Sequence, residues 1–141
     1  MKERVIALGF FDGVHLGHGA LLRRAAEEAA LRGCTPAVFT FDRPPKEVVT
    51  GVPCPLINSP EDRRDLVRRL YRIQDVLMVA FDREMMTTPW DDFIVRILVG
   101  RYHAVHLVAG HDHHFGHRNQ GTPELLAQKC AQLGLGCDII P

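Results

Sequence analysis

The 141-residue sequence has no excess of charge of either sign and no long apolar run. Lys plus Arg and Asp plus Glu each number 17, so no global field should draw the chain to nucleic acid or to an anionic membrane. The apolar stretch that follows residue 4 is too short for a signal peptide or a membrane span. We therefore expect a cytoplasmic protein with small-molecule ligands, without nucleic acid or membrane partners.

The sequence also has no C-x-x-C pair, no internal repeat and no Walker-type Gly-Lys-Ser/Thr motif. Its four cysteines lie far apart, which argues against a secreted disulfide framework and for reduced thiols. The missing Walker motif excludes a P-loop match. Any phosphate site must therefore be built from other residues.

Five short apolar segments predict β-strands, and amphipathic segments between them predict helices. The predicted strands are residues 5–8, 37–41, 76–81, 104–109 and 137–140. The predicted helices are residues 17–32, 59–73, 89–99 and 123–133. Residues 43–60 contain five of the nine prolines and are expected to be a loop or lid with little regular structure.

This alternation predicts a single α/β domain over residues 1–141, a Rossmann-like parallel five-stranded sheet with helices on both faces. Ligands of such sheets bind at the carboxyl ends of the strands. Three marked loops follow strand ends, at residues 9–18, 41–45 and 110–121. We expect these loops to converge on one crevice.

The first of these loops has the features of a phosphate site. Gly9, Gly13 and Gly17 allow close approach of a ligand to the backbone. The helix predicted to begin near Gly17 offers free amides and the positive end of its dipole. His15 and His18 flank a glycine and can both donate to one phosphate. An isolated histidine is usually a loop residue without chemistry, but two in this context favour a role in catalysis.

The stretch Gly-Phe-Phe-Asp-Gly-Val-His-Leu-Gly-His at residues 9–18 resembles the opening motif of the bacterial FAD synthetases. The adenylyltransferase domain of that family belongs to the H-x-G-H nucleotidylyltransferase superfamily. Residues 40–48 are similar to its second-strand motif, and residues 110–116 to its flavin-side motif. The intervening residues 81–84 also fit, so the resemblance covers almost all of the chain in the right order.

The resemblance implies an FMN adenylyltransferase that uses Mg²⁺, ATP and FMN to give FAD and pyrophosphate. It implies that His15 and His18 hold the triphosphate and stabilise the transition state. It implies nucleotide-binding roles for Gly9, Phe10, Phe11, Asp12, Gly13 and Gly17. It also implies flavin-side or metal-side roles for Asp42, Asp112 and Phe115. No residue is assigned as a direct metal ligand.

Three departures from the family pattern bear on these expectations. The family has a Ser/Thr-rich phosphate-binding motif shortly after the fifth strand, and this sequence ends at Pro141 before that motif. The family commonly has a C-terminal riboflavin kinase domain, which this sequence does not contain. His113 and His114 replace residues that are often aromatic or small, and Pro44 stands where His is common. We therefore expect one domain that lacks its C-terminal phosphate-binding segment.

Three alternatives remain open from the sequence. One is another adenylyl- or cytidylyltransferase of the superfamily, acting on pantetheine phosphate or a polyol phosphate. A second is a non-catalytic flavin or nucleotide binder. The third is a metal site in the histidine-rich loop, formed by His111, His113, His114 and His117. A polar loop beside the crevice is the favoured interpretation of these histidines.

Two further groups are interpreted as structural. His106 interrupts an apolar strand, which is typical of a core or edge histidine with a hydrogen-bond partner. The charged residues Arg63, Arg64, Asp65, Arg68 and Arg69 predict a solvated helix face. Arg118 could equally contact phosphate or lie on the surface.

Overall fold

The computed structural model describes residues 2–11, 16–54, 56 and 59–141, apart from the side chains of residues 16 and 17. The five strands are β1 (Arg4–Leu8), β2 (Thr35–Phe41), β3 (Asp75–Val79), β4 (Ala104–Gly110) and β5 (Gly136–Ile140). The α-helices are α1 (Leu16–Arg32), α2 (Pro45–Thr50), α3 (Pro60–Tyr71), α4 (Arg83–Met86), α5 (Trp90–Asp92) and α6 (Pro123–Leu133). A π-helix, Phe93–Arg101, continues α5, and a 3-10 turn forms at His117–Asn119.

All four strand pairings are parallel, and the strand order is β3-β2-β1-β4-β5. The chain therefore builds outward from β1 to one side and then returns to build β4 and β5 on the other. This reversal places a crevice between the loops that follow β1 and β4. The predicted Rossmann-like α/β fold is confirmed.

Each face of the sheet is covered by helices, as predicted. Val5 and Ala7 of β1 point to the face covered by α1, whereas Ile6 and Leu8 point to the opposite face. This alternation follows from the two-residue period of a strand. Because both faces are buried, β1 is an uninterrupted apolar run, typical of a central parallel strand. The second face is packed by the π-helix and α6 through Phe93, Ile94, Ile97, Leu98, Leu126 and Cys130.

The expectation of little regular structure over residues 43–60 is wrong for its first part, which forms α2. Pro45 occupies the start of the helix, where the missing amide costs nothing because that amide has no intrahelical partner. Gly51 ends the helix with a left-handed φ of 73°. The prolines here therefore mark a helix start as well as loop backbone.

The strand predicted at residues 76–81 ends earlier, at Val79. The amide of Phe81 donates to Oδ1 of Asp42 at 3.1 Å instead of to a neighbouring strand. The helix predicted at residues 89–99 begins at Trp90 and becomes a π-helix from Phe93. Such segments often lie near functional sites.

The start of α3 is as predicted, since the Oγ of Ser59 accepts a hydrogen bond from the amide of Asp62 at 3.1 Å. The prediction of a solvated face is wrong for Arg63, whose exposure is 1%. Arg63 lies four residues before the buried Val67, so both are on the helix stripe that faces the sheet. Arg69 is exposed and pairs with Asp65 at 3.2 Å, as expected.

We call the end of the sheet where the strands begin the amino edge. There, Nε of Arg4 donates to Oδ2 of Asp75 at 3.1 Å, and Nη1 donates to the carbonyl of Tyr102 at 2.9 Å. Burial works to raise the pKa of Asp75, but hydrogen bonds from Arg4 and Lys2 outweigh it and hold that pKa below its ordinary value. This group joins the first residues of β1 and β3.

His106 is also on the amino half of the sheet and is buried, as predicted. Its Nε2 lies 2.9 Å from Oδ2 of Asp138, and the other oxygen of that carboxylate lies 3.5 Å from Nη1 of Arg24. The chain fits tightly here, because a Cβ on Gly136 would collide with the imidazole of His106. These contacts join β4, β5 and α1.

The cysteines and the helix lengths bear on two classes considered above, disulfide-linked secreted proteins and membrane-spanning proteins. All four cysteines are free thiols, and Cys130 is fully buried. No helix in the described part of the chain is both long and apolar enough to cross a bilayer.

Candidate functional site

We call the end of the sheet where the strands finish the carboxyl edge. Immediately after β1, the amide of Gly9 donates to the carbonyl of Phe39 at 3.3 Å. A Cβ on Gly9 would lie 2.7 Å from Cζ of Phe11, so only glycine fits beside that ring. Phe11 is buried and has a positive φ of 60°. A non-glycine residue in that conformation is strained, and such strain often accompanies a ligand site.

The helix predicted after this loop is present, and it begins at Leu16. His18 is therefore in the first turn of α1, where backbone amides point out of the helix and favour an anion. The His18 ring packs edge-on against Phe11, with ring centroids 5.0 Å apart. Gly17 lies within the same first turn. The predicted site residues Asp12, Gly13 and His15 lie outside the described residues.

A cavity of about 810 Å³ opens at the carboxyl edge beside this loop. Gly9 and Phe10 form part of its wall, so the first loop and the cavity are one site. The rest of the wall comes from the ends of β1 and β2, from the residue Phe81 after β3, from α2, α4 and the π-helix, and from the histidine-rich loop. Its aromatic lining residues are Phe10, Phe39, Phe41, Phe81, Phe93 and Phe115.

The aromatic side chains hold one another in fixed orientations. Phe41 packs edge-on against Phe81 with ring centroids 4.8 Å apart, and Phe39 packs in the same way against Phe93 at 5.3 Å. Edge-to-face pairs of this kind are favourable beyond the area that they bury. The cavity is thus mostly apolar with an aromatic lining, which suits an aromatic ligand.

The histidine-rich loop closes the cavity from the side of β4. The ring of His113 stacks on Phe115, with centroids 5.8 Å apart and planes inclined by 16°. Burial is the main cause of a pKa of about 4 for His113; the Asp112 carboxylate opposes the lowering, and His114 adds a smaller lowering. The His113 side chain is therefore neutral near pH 7. Phe115, predicted to be on the flavin side, is buried and lines the cavity.

The same loop has an unusual backbone. Gly116 has a φ of 79°, and a Cβ there would lie 2.6 Å from Cα of Trp90. Arg118 and Asn119 have φ values of 56° and 53°, and both line the cavity. Lys46 lines the cavity from α2. The cavity is thus apolar along its walls and carries two cationic side chains, Lys46 and Arg118, among the residues that line it.

The two predicted aspartates are placed differently from Phe115. Oδ1 of Asp42 accepts the amide of Phe81, and the amide of Asp42 donates to the carbonyl of Val79 at 3.0 Å. Asp42 thus joins the ends of β2 and β3, while the cavity wall is formed by its neighbour Phe41. Asp112 is exposed just beyond β4, and its carbonyl oxygen lies 3.0 Å from Nδ1 of His114.

Arg63 lies at the centre of the carboxyl edge, although the sequence indicated a surface residue. Its Nη1 donates to the carbonyl of Phe10 at 2.9 Å and to Oγ1 of Thr40 at 3.1 Å. Its Nη2 donates to the carbonyls of Phe41 at 2.9 Å and Asp42 at 3.2 Å. The guanidinium also lies 4.2 Å from the centroid of the Phe10 ring. One side chain therefore joins the loops that follow β1 and β2.

The metal alternative is not supported at the histidine-rich loop. Within the described residues, one group of three metal-ligand side chains has its ligand atoms within 4.8 Å of one another. That group is Glu28, His106 and Asp138, none of which belongs to the loop. Instead, His113, His114 and His117 line the cavity, and the backbone amide of His111 donates to the carbonyl of Ile140.

The geometry can now be compared with known proteins. The sequence model of the family described as FAD synthetase matches residues 1–141, the whole chain. The chain belongs to the FAD synthetase family. The candidate site formed by the first loop, the start of α1 and the aromatic cavity is therefore a site of a FAD synthetase family member.

Curated relatives carry the name bifunctional riboflavin kinase/FMN adenylyltransferase. The relative from Listeria monocytogenes is 33% identical over 128 residues, which cover 89% of this chain and 40% of that protein. The relative from Escherichia coli K12 is 35% identical over 137 residues, covering 96% of this chain and 42% of that protein. The chain thus spans about two fifths of the length of these relatives.

A solved structure described as a macrolide-efflux protein from Streptococcus pneumoniae has a similar fold. It is 25% identical, with a TM-score of 0.83, and the match covers 99% of this chain and 45% of that one. Its strand and helix arrangement agrees with the parallel five-stranded sheet described above.

Sequence reasoning missed Arg63, Phe81 and Met86 as parts of the site. Arg63 lies in a segment with several other arginines. The feature that distinguishes it from the exposed ones is its spacing of four residues from Val67. Phe81 was assigned to a strand, whereas it follows the strand and lines the cavity. Met86 belongs to the short helix α4, which no periodic pattern predicted.

Proposed function

We propose that this member of the FAD synthetase family is an FMN adenylyltransferase that joins ATP and FMN to give FAD and pyrophosphate. The observation that carries the proposal is the continuity of the two parts of the site. Gly9 and Phe10 of the predicted phosphate loop line the same cavity as Phe81 and Phe115. A phosphate held at the start of α1 and a planar ring in the cavity would lie side by side.

The chemistry requires mainly positioning and charge stabilisation. An oxygen of the FMN phosphate attacks the α-phosphorus of ATP, and the bond from that phosphorus to the β-phosphate oxygen breaks, releasing pyrophosphate. His18 at the first turn of α1 would donate to the charge that grows on the phosphate oxygens. His15 is proposed for the same role from its place in the motif. The protein's main contribution is to hold two ligands in line.

The cavity suits the isoalloxazine ring of FMN better than a pantetheine or polyol chain. Its walls contain several aromatic side chains, and an aromatic ligand can pack against such rings face-on or edge-on. Its neutral His113 adds a polar edge without a charge at pH 7. We therefore assign the ring end of FMN to this cavity, with Phe115 in contact with it.

Mg²⁺ would supply charge neutralisation of the triphosphate. In the described part of the carboxyl edge, no group of three protein ligands comes together. This suits an ion held mostly by phosphate oxygens and water, with one or two carboxylates at most. We propose Asp112, which is exposed just beyond β4, for that contact. Asp42 is less suited, because Phe81 occupies one of its oxygens.

The test is an acceptor competition. The purified chain is incubated with ATP–Mg²⁺ and equal amounts of FMN, pantetheine phosphate and a polyol phosphate, and the adenylylated products are quantified by chromatography. A parallel reaction contains CTP instead of ATP. We expect FAD with one equivalent of pyrophosphate, and no other nucleotidyl product. AMP transfer to another acceptor, or CMP transfer, would overturn the assignment.

A further inference from the structure

We propose that Arg63 is a positioning residue that fixes the distance between the nucleotide side and the flavin side of the site. The inference rests on the proposed function for its kinetic consequence, but it is argued from contacts that are independent of any ligand. Arg63 is not itself among the residues that line the cavity, but it bonds to the carbonyls of two residues that are, Phe10 and Phe41. It acts through the backbone of these residues.

The described contacts of Arg63 are divided between the loop that follows β1 and the end of β2. Nη1 holds the carbonyl of Phe10, directly before the strained Phe11, and Nη2 holds the carbonyls of Phe41 and Asp42. Thr40 reinforces the link, since its hydroxyl donates to the same Phe10 carbonyl at 2.7 Å. A planar guanidinium has donors in fixed directions, so two loops bonded to one fork cannot shift independently.

The environment makes these bonds strong. Arg63 is 1% exposed, and its plane lies against the Phe10 ring at 4.2 Å. Hydrogen bonds from a charged donor are shorter and stronger than neutral ones, and a water-poor setting strengthens them further. Phe10 also lines the cavity, so the arginine holds one wall of the cavity as well as the first loop.

The consequence is specific to the reaction of two ligands. Each loop keeps a hydrogen bond to a neighbouring strand without Arg63, since Gly9 bonds to Phe39 of β2 and Asp42 bonds to Val79 of β3, although these bonds should open more often once the link through Arg63 is lost. Loss of Arg63 should therefore leave single-ligand binding nearly intact and misalign the attacking phosphate with the α-phosphorus. A displacement of about 1 Å between reacting groups can cost roughly 10²-fold in rate.

The experiment compares Arg63→Lys and Arg63→Met with the control Arg69→Met, an exposed arginine on the same helix. For variants that remain folded by circular dichroism, kcat for FAD formation is measured together with separate titrations of ATP–Mg²⁺ and FMN. We expect kcat to fall roughly 10²-fold in Arg63→Met, with each dissociation constant within about threefold of the parent. Arg63→Lys keeps the charge but not the fork, and should recover only part of the rate. Arg69→Met should match the parent.

Two kinetic outcomes would overturn the proposal. One is an unchanged kcat in a folded Arg63→Met variant. The other is weaker binding of one ligand that accounts for the whole loss of rate, which would make Arg63 a binding group. Full recovery by lysine would contradict the role of the fork.

A second readout does not depend on turnover. Amide hydrogen exchange at Gly9 and Asp42 should accelerate together in both Arg63 variants, and stay at the parent rate in Arg69→Met. Unchanged exchange at both amides would refute the link even if the parent chain forms no FAD. Accelerated exchange in a chain without FAD synthesis would instead contradict the proposed function and leave the positioning role standing.

Discussion

Each edge of the sheet has an arginine that joins neighbouring segments, but the two arginines bind different partners. At the amino edge, Arg4 binds the carboxylate of Asp75 and the carbonyl of Tyr102. At the carboxyl edge, the described acceptors of Arg63 are carbonyl and hydroxyl oxygens of two loops. The first arrangement holds strand starts together. The second fixes the geometry of loops that have left the sheet.

Both edges contain strained backbone, but only the strained residue at the carboxyl edge adjoins the cavity. Near Arg63, Phe11 has a φ of 60° and the Gly9 Cα lies too close to its ring for any side chain. Near Arg4, β1 pairs in register with β2, but its pairing with β4 shifts between Arg4 and Val5, and His103 has a φ of 59°. Strained backbone persists only where its surroundings hold it in place. The strained Phe11 directly follows Phe10 of the cavity wall, whereas His103 is not among the residues that line that cavity, so we assign the proposed site to the carboxyl edge and a stabilising role to the contacts of Arg4.

The largest effect expected from this comparison is at His18. Replacing His18 with Asn should lower the rate of FAD formation by roughly 10²–10³, because a donor to the developing phosphate charge is lost. The fold should be unchanged, since the His18 side chain is only half-buried. Steady-state kinetics and a thermal melt would be compared with His106→Asn at the amino half, which should affect the melt more than the rate. A rate within about threefold of the parent would remove the proposed role of His18.

A second prediction concerns the pH dependence of stability that His113, at the carboxyl edge, should cause. His113 has a pKa of about 4 in the folded chain, against 6.5 for a free histidine. The unfolded chain thus binds more protons between these values, and stability should fall as the pH is lowered from 6.5 to 4. The slope is at most about 1.4 kcal/mol per pH unit. Urea unfolding of the parent and of His113→Gln should show this slope only in the parent.

The outcome that would contradict this prediction is an equal slope in both proteins. It would mean that His113 titrates near its ordinary pKa and that the cavity wall is open to water. An imidazolium would then be present beside the ligand in mildly acidic solution.

The smallest effect is expected at Asp75. Its folded pKa lies below the ordinary value of 3.8, so its stabilising contribution is complete above that pH and is lost as the pH falls through the folded value. Asp75→Asn should lower the free energy of unfolding by about 1 kcal/mol at pH 7. The difference from the parent should close in strong acid. The rate of FAD formation per folded molecule should not change, and a large loss of rate would break the division between the edges.

The sequence predicted the fold well because its signals are local. The apolar run of β1, the Ser59 cap and the alternating order of elements depend on neighbouring residues alone. The boundaries failed where side chains from elsewhere intervened. β3 ends early because Asp42, on another loop, takes the amide of Phe81.

The site was predicted less completely than the fold. The first loop has a recognisable spacing of Gly and His. In its described part, Gly9 and Phe10 line the cavity, and His18 lies at the start of α1. Arg63 could not be distinguished from Arg69 by residue type, because burial is set by the packing of α3 against the sheet. Asp42 was predicted as a ligand-side residue, but its described contacts are to backbone, so its role in binding remains a prediction.

Hydrogen exchange of the chain with and without ATP–Mg²⁺ and FMN together tests the division between the edges most directly. Saturation with both ligands should protect amides of the carboxyl edge, above all Gly9 to Phe11 and the loop from His113 to Asn119. Amides at the amino edge, such as those of Arg4, Asp75 and Gly136, should exchange at unchanged rates. Protection confined to the amino edge, or spread evenly over both edges, would contradict the assignment of the site.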